Sequence, residues 1–152
     1  MRNLEPIIAE HDFFKGMAAH HIEFVVGCAK NARFDPGALL FREGEAANDF
    51  YLIRHGMVSI ELLVLGRGVV PIQTVGRNDV LGWSWLFEPY HWHFQARAVE
   101  LTRTLIFDGR CLRDACERDH DLGYALMKRF AGIMVQRLEA TRLQMLDVYA
   151  KG

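Results

Sequence analysis

The first third of the chain begins with a helical pattern, in which apolar side chains recur at three- and four-residue spacings. These positions are Ile7, Ile8, Phe13, Phe14, Met17, Ile22, Val25 and Val26. Because glycine is a poor helix former, Gly16 predicts a break between two short helices within residues 5–32. The segment 1–33 is therefore predicted to consist of N-terminal helices.

From Phe34 to Phe107 the pattern changes to short β-rich runs separated by turn residues. The runs are ALLF, DFYLIRH, MVSIELLVL, VVPIQTV, FQARAV and TRTLIF. The turn signals between them are Pro36-Gly37, Gly44, Gly56, Gly66-Arg67-Gly68 and Asn78-Asp79. Short strands punctuated by glycine predict a β roll over 34–107, of the sandwich or jelly-roll type. The run LGRGVV predicts a hairpin, because its glycines accept positive φ.

The helical period returns in 108–152, which is predicted to form C-terminal helices. One stripe has the alternating four- and three-residue spacing of a coiled coil: Met127, Ala131, Met134, Leu138, Thr141, Met145 and Val148. A helix over 122–149 would be about 40 Å long, which is longer than a small roll needs. We therefore predict a homodimer through this helix; the alternative is that the stripe packs on the roll.

The predicted fold class is mainly β with flanking helices (α+β), in a single domain spanning 1–152. Composition agrees with this, since 51% of the residues are hydrophobic and the formal net charge is −1. Such a charge does not favour non-specific nucleic-acid binding, which needs a basic surface. No apolar run approaches the roughly 20 residues of a membrane span, and the N-terminus lacks the apolar core of a signal peptide. A cytoplasmic location is expected.

The three cysteines, Cys28, Cys111 and Cys116, include no CxxC pair. Their spacing does not suit a zinc site, and free cysteines are commonly buried. They are predicted to be reduced thiols in or near the core, and no metal site is predicted.

The segment FDPGALLFREGEAANDFYLIRHGMVSIEL, residues 34–62, resembles the cyclic nucleotide-binding domain of the Crp–Fnr superfamily. Gly37, Gly44 and Gly56 fall where that family turns corners. The later run VGRNDVLGW resembles the approach to the family's phosphate-binding cassette, with Asn78 in place of the usual glycine. Asparagine tolerates positive φ better than other non-glycine residues, so the turn is expected to persist. The resemblance covers about residues 5–149 and implies a cyclic nucleotide-binding-like jelly roll.

The same resemblance makes the segment LGWSWLFEPYHWHFQARAV, residues 81–99, the candidate cassette. In the family, a glutamate after the first glycine holds the ribose, and a later arginine followed by a small residue pairs with the cyclic phosphate. The resemblance places Trp83 at the glutamate, Trp92 at the arginine and His93 at the small residue. Losing one partner of a buried charge pair costs about 2–5 kcal/mol. Arg97 does not compensate, because strand alternation places it on the face opposite to position 92. We expect that cyclic AMP is not bound in the usual way.

Three interpretations of the aromatic residues remain open. In the first, the rings fill the vacated pocket and leave a dimeric protein-interaction module without a small ligand. In the second, a pocket binds a different ligand through backbone N–H groups and ring faces, with the candidate residues Gly82, Trp83, Ser84, Trp85, Leu86, Trp92 and His93. In the third, His91 or His93 holds a haem.

The long helix adds one candidate contact. Thr141 and Arg142 resemble the place where the family's helix reaches the base with two hydroxyl residues. Arg142 stands at the second of these positions, and its guanidinium would supply the positive charge that the cassette lacks.

No catalytic triad, paired carboxylate or Walker-type loop stands out, so the chain is not expected to be an enzyme. The sequence stops at about the position where Crp–Fnr regulators continue into a DNA-binding domain. We therefore expect a stand-alone sensor domain without direct DNA binding. The expected function is noncatalytic regulation, in which an unknown small ligand or protein partner shifts the population of positions of the long helix.

Overall fold

The computed structural model describes residues 4–151, in which two antiparallel sheets are flanked by helices. In chain order the elements are α1 (Glu5–Glu10), α2 (Ala19–Gly27), β1 (Ala29–Phe34), β2 (Leu39–Phe41), β3 (Asp49–His55), β4 (Met57–Val64), β5 (Gly68–Gly76), β6 (Val80–Leu81), a 3₁₀ turn (Ser84–Leu86), β7 (Gln95–Ala98), β8 (Thr102–Asp108), α3 (Gly109–Arg118) and α4 (His120–Lys151).

The strands form a jelly roll, which confirms the predicted fold class. One sheet has the order β1-β8-β3-β6 and the other the order β2-β7-β4-β5. Each of the six predicted β-rich runs contains most of one of these strands. The predicted break around Gly16 is also present, since α1 and α2 are separate and Gly16 has a φ of +85°.

The prediction of helix up to residue 32 is wrong, because Ala29–Phe34 form strand β1. This strand pairs antiparallel with β8 from Ala29 opposite Phe107 to Phe34 opposite Thr102. The apolar helical pattern ends at Val26, and half of the residues of β1 are polar: Lys30, Asn31 and Arg33. Backbone pairing with a strand some 70 residues away therefore decides its conformation, and this partner leaves no periodic signal in the segment itself.

The turns that position the strands follow the predicted glycine pattern. Gly66 and Gly68 have positive φ in the β4–β5 hairpin, where Val64 lies opposite Gly68. Asn78 has a φ of +73°, as the resemblance implied. At Gly56 the φ is +103°, and an added Cβ would lie 2.6 Å from the carbonyl oxygen of Leu101, so this corner requires glycine.

Within the described residues the buried apolar side chains form two clusters. The helical core lies between the helices and the β1-β8-β3-β6 sheet, and its large members include Phe14, Phe50, Trp85, Phe107 and Phe130. The roll core lies between the two sheets, and its large members include Phe41, Tyr51, Ile53, Trp92 and Phe94. The loop between β6 and β7 contributes one tryptophan to each core.

Helix α4 buries large apolar side chains only in its first half. Leu122, Leu126 and Phe130 are buried, whereas every residue of 141–150 is exposed. All members of the predicted stripe are exposed except Met134, which is half-buried. The stripe therefore does not pack on the roll, and dimerisation through it stays a prediction. None of the helices within 4–151 is both long and apolar enough to cross a bilayer.

Candidate functional site

The candidate cassette is the loop of residues 82–94 that connects β6 to β7, hereafter the cassette loop. Gly82 turns the chain with a φ of +100° and is buried. A Cβ on Gly82 would lie 2.7 Å from Cη2 of Trp92. Glycine is therefore required here both for the backbone conformation and for the close approach of the indole.

Trp92 fills the interior of the roll beside Gly82. Its side chain stacks on the ring of Phe41 with the centroids 3.7 Å apart, and Trp92 is only 3% exposed. The backbone N–H of Trp92 donates to the carbonyl of Glu45 at 2.9 Å, and its carbonyl accepts from the N–H of Gly44 at 2.8 Å. These contacts hold the indole in the space between the cassette loop and β2.

Trp85 belongs instead to the helical core, where it is fully buried. Its ring lies 5.3 Å from that of Phe50 and 5.5 Å from that of Phe130, between centroids. Arg113 donates from Nη1 to the Trp85 carbonyl at 2.7 Å. Of the predicted ligand-binding residues, Trp85 thus packs in the core, and Leu86 packs against the same cluster.

Ser84 starts the 3₁₀ turn next to Trp83. Its hydroxyl Oγ is buried and has no hydrogen-bond partner within residues 4–151, and the same holds for the indole Nε1 of Trp85. An unpaired buried polar atom is costly, typically about 1–3 kcal/mol. The start of the turn therefore has polar groups that the surrounding side chains do not satisfy.

Trp83 is half-buried and lies beside a basic side chain of α4. The guanidinium Cζ of Arg137 is 5.4 Å from the centroid of the Trp83 ring. Arg137 donates from Nη2 to the carbonyl of Val80 at 2.7 Å, but its Nη1 is buried and unpaired among the described residues. Burial lowers the pKa of Arg137, and the charge of Asp79 opposes this shift. Arg137 thus brings a partly desolvated positive charge to the cassette loop.

The structure does not bring Thr141 and Arg142 to the cassette loop. Thr141 is exposed and donates from Oγ1 to the carbonyl of Arg137. Arg142 is exposed and pairs with Glu139 at 3.2 Å. Each lies about one helical turn beyond Arg137, roughly 6 Å along the axis, in the part of α4 whose residues are all exposed. Arg142 does not contact the cassette loop of its own chain, and its role as the missing charge stays a prediction.

Arg137 is the residue that the sequence analysis missed, although the helical period contained a signal for it. Leu122, Leu126, Phe130 and Ile133 face the roll, and Arg137 follows Ile133 by four residues on the same face. A basic side chain that follows buried apolar residues on one face of a helix indicates a role in the interior.

Arg137 also lines a cavity of about 220 Å³ between β5 and α4. Its lining is mixed: the polar residues Gln73, Thr74, Asp79 and Gln136 lie beside four apolar ones. The cavity adjoins the start of the cassette loop through Val80, which lines it and accepts the hydrogen bond from Arg137. A few convergent polar groups of this kind are typical of small-ligand sites.

The remaining predicted residues lie outside this cavity. His91 and His93 are exposed on either side of Trp92. Arg97 points away from the roll core, where it donates to Glu61 Oε1 at 3.3 Å and to the Gly37 carbonyl at 2.9 Å. These contacts agree with the predicted placement of Arg97 on the face opposite to Trp92, and its lack of a role in the cassette stays a prediction.

Comparison with known proteins agrees with this architecture. A family model described as the cyclic nucleotide-binding domain matches residues 32–119, which is more than half of the chain. A search of curated protein sequences gave no significant match.

Solved structures extend the similarity to most of the chain. The proposed cyclic nucleotide-binding protein of Geobacter metallireducens GS-15 is 25% identical, with a TM-score of 0.82 over 91% of this chain and 99% of that one. The sensor domain of the transcriptional regulator DNR from Pseudomonas aeruginosa is 18% identical, with a TM-score of 0.71 over 91% of this chain and 95% of that domain. The Thermus thermophilus catabolite activator protein is 20% identical, with a TM-score of 0.68 over 91% and 62% of the two chains. The chain thus belongs to the cyclic nucleotide-binding domain family, as its jelly roll, cassette loop and long C-terminal helix together imply.

Proposed function

We propose that this chain is a noncatalytic regulatory domain that excludes cyclic AMP from its cassette loop and senses a small anion beside Arg137. The family and its sensor-domain relatives support a regulatory role. The ligand class is inferred from one observation: the buried guanidinium of Arg137 has an unpaired Nη1, among the residues described, and lines a partly polar cavity.

Exclusion of cyclic AMP is supported by the position of Trp92. Its indole stacks on Phe41 and reaches within contact distance of Gly82, so it occupies the interior beside the cassette loop. Trp83 and Trp92 also occupy the positions at which the resemblance places a carboxylate and a guanidinium, so the cassette loop lacks both charges there. A sugar phosphate would have to displace an indole and bind without these two charges.

Arg137 supplies the reason for an anionic ligand. A buried donor without a partner costs about 1–3 kcal/mol, and a guanidinium binds carboxylate or phosphate oxygens through two parallel hydrogen bonds. We therefore infer a small carboxylate or phosphate compound.

Helix α4 is the element that would transmit binding. Arg137 lies on α4 and bonds to Val80, and Gln144, two turns later, donates to the carbonyl of Ile72 at 2.9 Å. A ligand that pairs with Arg137 changes the contacts of α4 with β5 and shifts its population of positions. The proposed homodimer, formed through the exposed stripe on the same helix, would report this shift.

The test measures tryptophan fluorescence and thermal unfolding with benzoate, succinate, inorganic phosphate, adenosine monophosphate and cyclic AMP. We expect at least one anion to raise the unfolding temperature, since a ligand of the folded state stabilises it. Arg137→Ala should abolish this response, and the exposed Arg142→Ala is the matched control that should retain it. Binding of cyclic AMP in the low micromolar range, unaffected by Arg137→Ala, would refute the proposal.

A protein-interaction module without a small ligand is the second candidate, and the stacking of Trp92 on Phe41 favours it. A domain with a filled roll would show no response to any compound of the panel, yet would still dimerise through α4.

Haem is less favoured, because His91 and His93 are both exposed and haem ligands usually lie in an apolar enclosure. The lack of direct DNA binding stays a prediction.

A further inference from the structure

Two histidines and an aspartate meet on the side of the domain formed by the helices. His20 and His21 lie in the first turn of α2, and Asp119 is the residue between α3 and α4. His21 Nε2 is 3.0 Å from Asp119 Oδ2, and the rings of His20 and His21 have their centroids 4.1 Å apart. One ligand atom from each of the three side chains lies within 4.8 Å of the other two.

The carboxylate is already oriented toward the histidines. Asp119 Oδ1 accepts from the backbone N–H groups of Asp121 and Leu122, at 3.1 and 3.2 Å, at the start of α4. These bonds fix the side chain, and Oδ2 is left directed at His21.

We propose that His20, His21 and Asp119 bind a divalent transition metal ion, with Zn²⁺ as the probe. Two imidazole nitrogens and one carboxylate oxygen are ligands that Zn²⁺ accepts at about 2.0–2.2 Å. The 3.0 Å between His21 Nε2 and Asp119 Oδ2 is close to the roughly 3.3 Å that separates two ligands of one tetrahedral ion. Rotation of the exposed His20 side chain would bring its nitrogen to a third position. Three protein ligands leave a further coordination position for water or an added ligand.

The surroundings leave room for that position. A cavity of about 270 Å³ lies beside the three side chains and is also lined by Phe24, Ala115, Arg118 and Leu122. Arg118 is the one cation in this lining and disfavours a bound metal ion. The ion would link the start of α2 to the junction that precedes α4, two segments about 98 residues apart in sequence.

The test is titration of the full chain with Zn²⁺, followed by calorimetry and by thermal unfolding. We expect one ion per chain and a higher unfolding temperature with Zn²⁺ than with a chelator. His20→Ala should weaken Zn²⁺ binding at least tenfold. Asp119→Asn should weaken it to a similar extent, although an asparagine at this position can still cap α4. His91→Ala, which removes an exposed histidine elsewhere, is the matched control and should bind like the unmodified chain.

Three results would overturn the proposal. The first is the absence of Zn²⁺ binding to the unmodified chain at 100-fold molar excess, and the second is equal binding by His20→Ala and the unmodified chain. The third is a Co²⁺ spectrum with thiolate charge-transfer bands that disappear in Cys28→Ser, since the ion would then occupy the cysteine pair. Because His20 is exposed, His20→Ala gives a decisive answer even if Asp119→Asn fails to fold.

Discussion

The indole of Trp92 and the ring of Phe41 lie almost parallel, 14° apart, with their centroids separated by 3.7 Å. The pair joins the end of the cassette loop to β2 across the roll core. We predict that Trp92→Ala lowers the free energy of unfolding by about 3–5 kcal/mol, because it leaves a cavity in this core. Urea denaturation measures the change.

The control for this variant is Phe87→Ala, which removes an exposed ring from the same loop. Phe87→Ala should lower the free energy of unfolding by less than about 1 kcal/mol, as surface substitutions usually do. A Trp92→Ala variant as stable as Phe87→Ala would contradict the assignment of Trp92 to the core.

A second prediction concerns the charges that the cassette loop lacks. The double variant Trp83→Glu, Trp92→Arg should bind cyclic AMP at least tenfold more tightly than the unmodified chain. It supplies the carboxylate and guanidinium that the family uses, and it removes the indole that fills the interior. Isothermal calorimetry measures both affinities.

Trp83→Gln, Trp92→Met is the matched control, because it removes both indoles without adding charge. Equal affinity of this control and the charged variant would show that volume alone excludes the nucleotide. Tight binding by the unmodified chain would falsify the premise altogether.

A third prediction addresses the exposed stripe on α4. Leu138 and Met145 are 51% and 54% exposed, and they occupy seam positions of the predicted coiled coil. Leu138→Glu with Met145→Glu should convert a dimer into a monomer, because burying like charges at a helix seam is unfavourable. Sedimentation equilibrium at micromolar concentration measures the mass.

Leu143→Glu serves as the control, since Leu143 is also exposed but lies off the stripe. It should leave the dimer intact. If the unmodified chain sediments as a monomer, dimerisation through α4 is wrong.

The cysteines give a fourth prediction, in which the sign of a pH effect follows from burial. Cys28 and Cys111 have their Sγ atoms 3.5 Å apart. Burial, followed by the contact with Cys111, raises the pKa of Cys28 to about 12, and burial raises the pKa of Cys116 to about 11. At pH 8 both groups should therefore be protonated thiols that react slowly with iodoacetamide.

Stability should fall as the pH rises from about 9 toward 11–12. In the unfolded chain these thiols ionise near their ordinary pKa of 9.0, while in the folded chain they stay protonated. The unfolded state then binds fewer protons, so the free energy of unfolding decreases with pH. Urea denaturation at pH 8 and pH 10 should show a smaller decrease for Cys28→Ala, Cys116→Ala than for the unmodified chain.

The strands were predictable because turn residues and β-rich runs are local signals. The runs DFYLIRH and TRTLIF became β3 and β8 with little change of boundary. Ala29–Phe34 was not predictable in the same way, since its strand conformation depends on pairing with β8. Local pattern cannot report a partner that is distant in sequence.

The candidate site was predicted less well than the fold. The sequence identified the loop that contains Trp83, Trp85 and Trp92, but a loop has no period that assigns each ring to a core or a surface. It also placed the helix contact at Thr141 and Arg142, one turn past Arg137. The resemblance gave this placement: Thr141 follows Arg137 by four residues and shares its helix face, whereas Arg142 follows it by five and does not.

The division of the two buried indoles between separate cores has a consequence for how this domain moves. Displacing the segment that joins β6 to β7 would withdraw Trp85 from one core and Trp92 from the other, and such losses cost about 3–5 kcal/mol apiece. Moving only the second half of α4 breaks a few polar contacts, including those of Arg137 and Gln144, and leaves Leu122, Leu126 and Phe130 in the helical core. Rearrangement should therefore begin at α4, while the loop that carries Trp85 and Trp92 keeps its position.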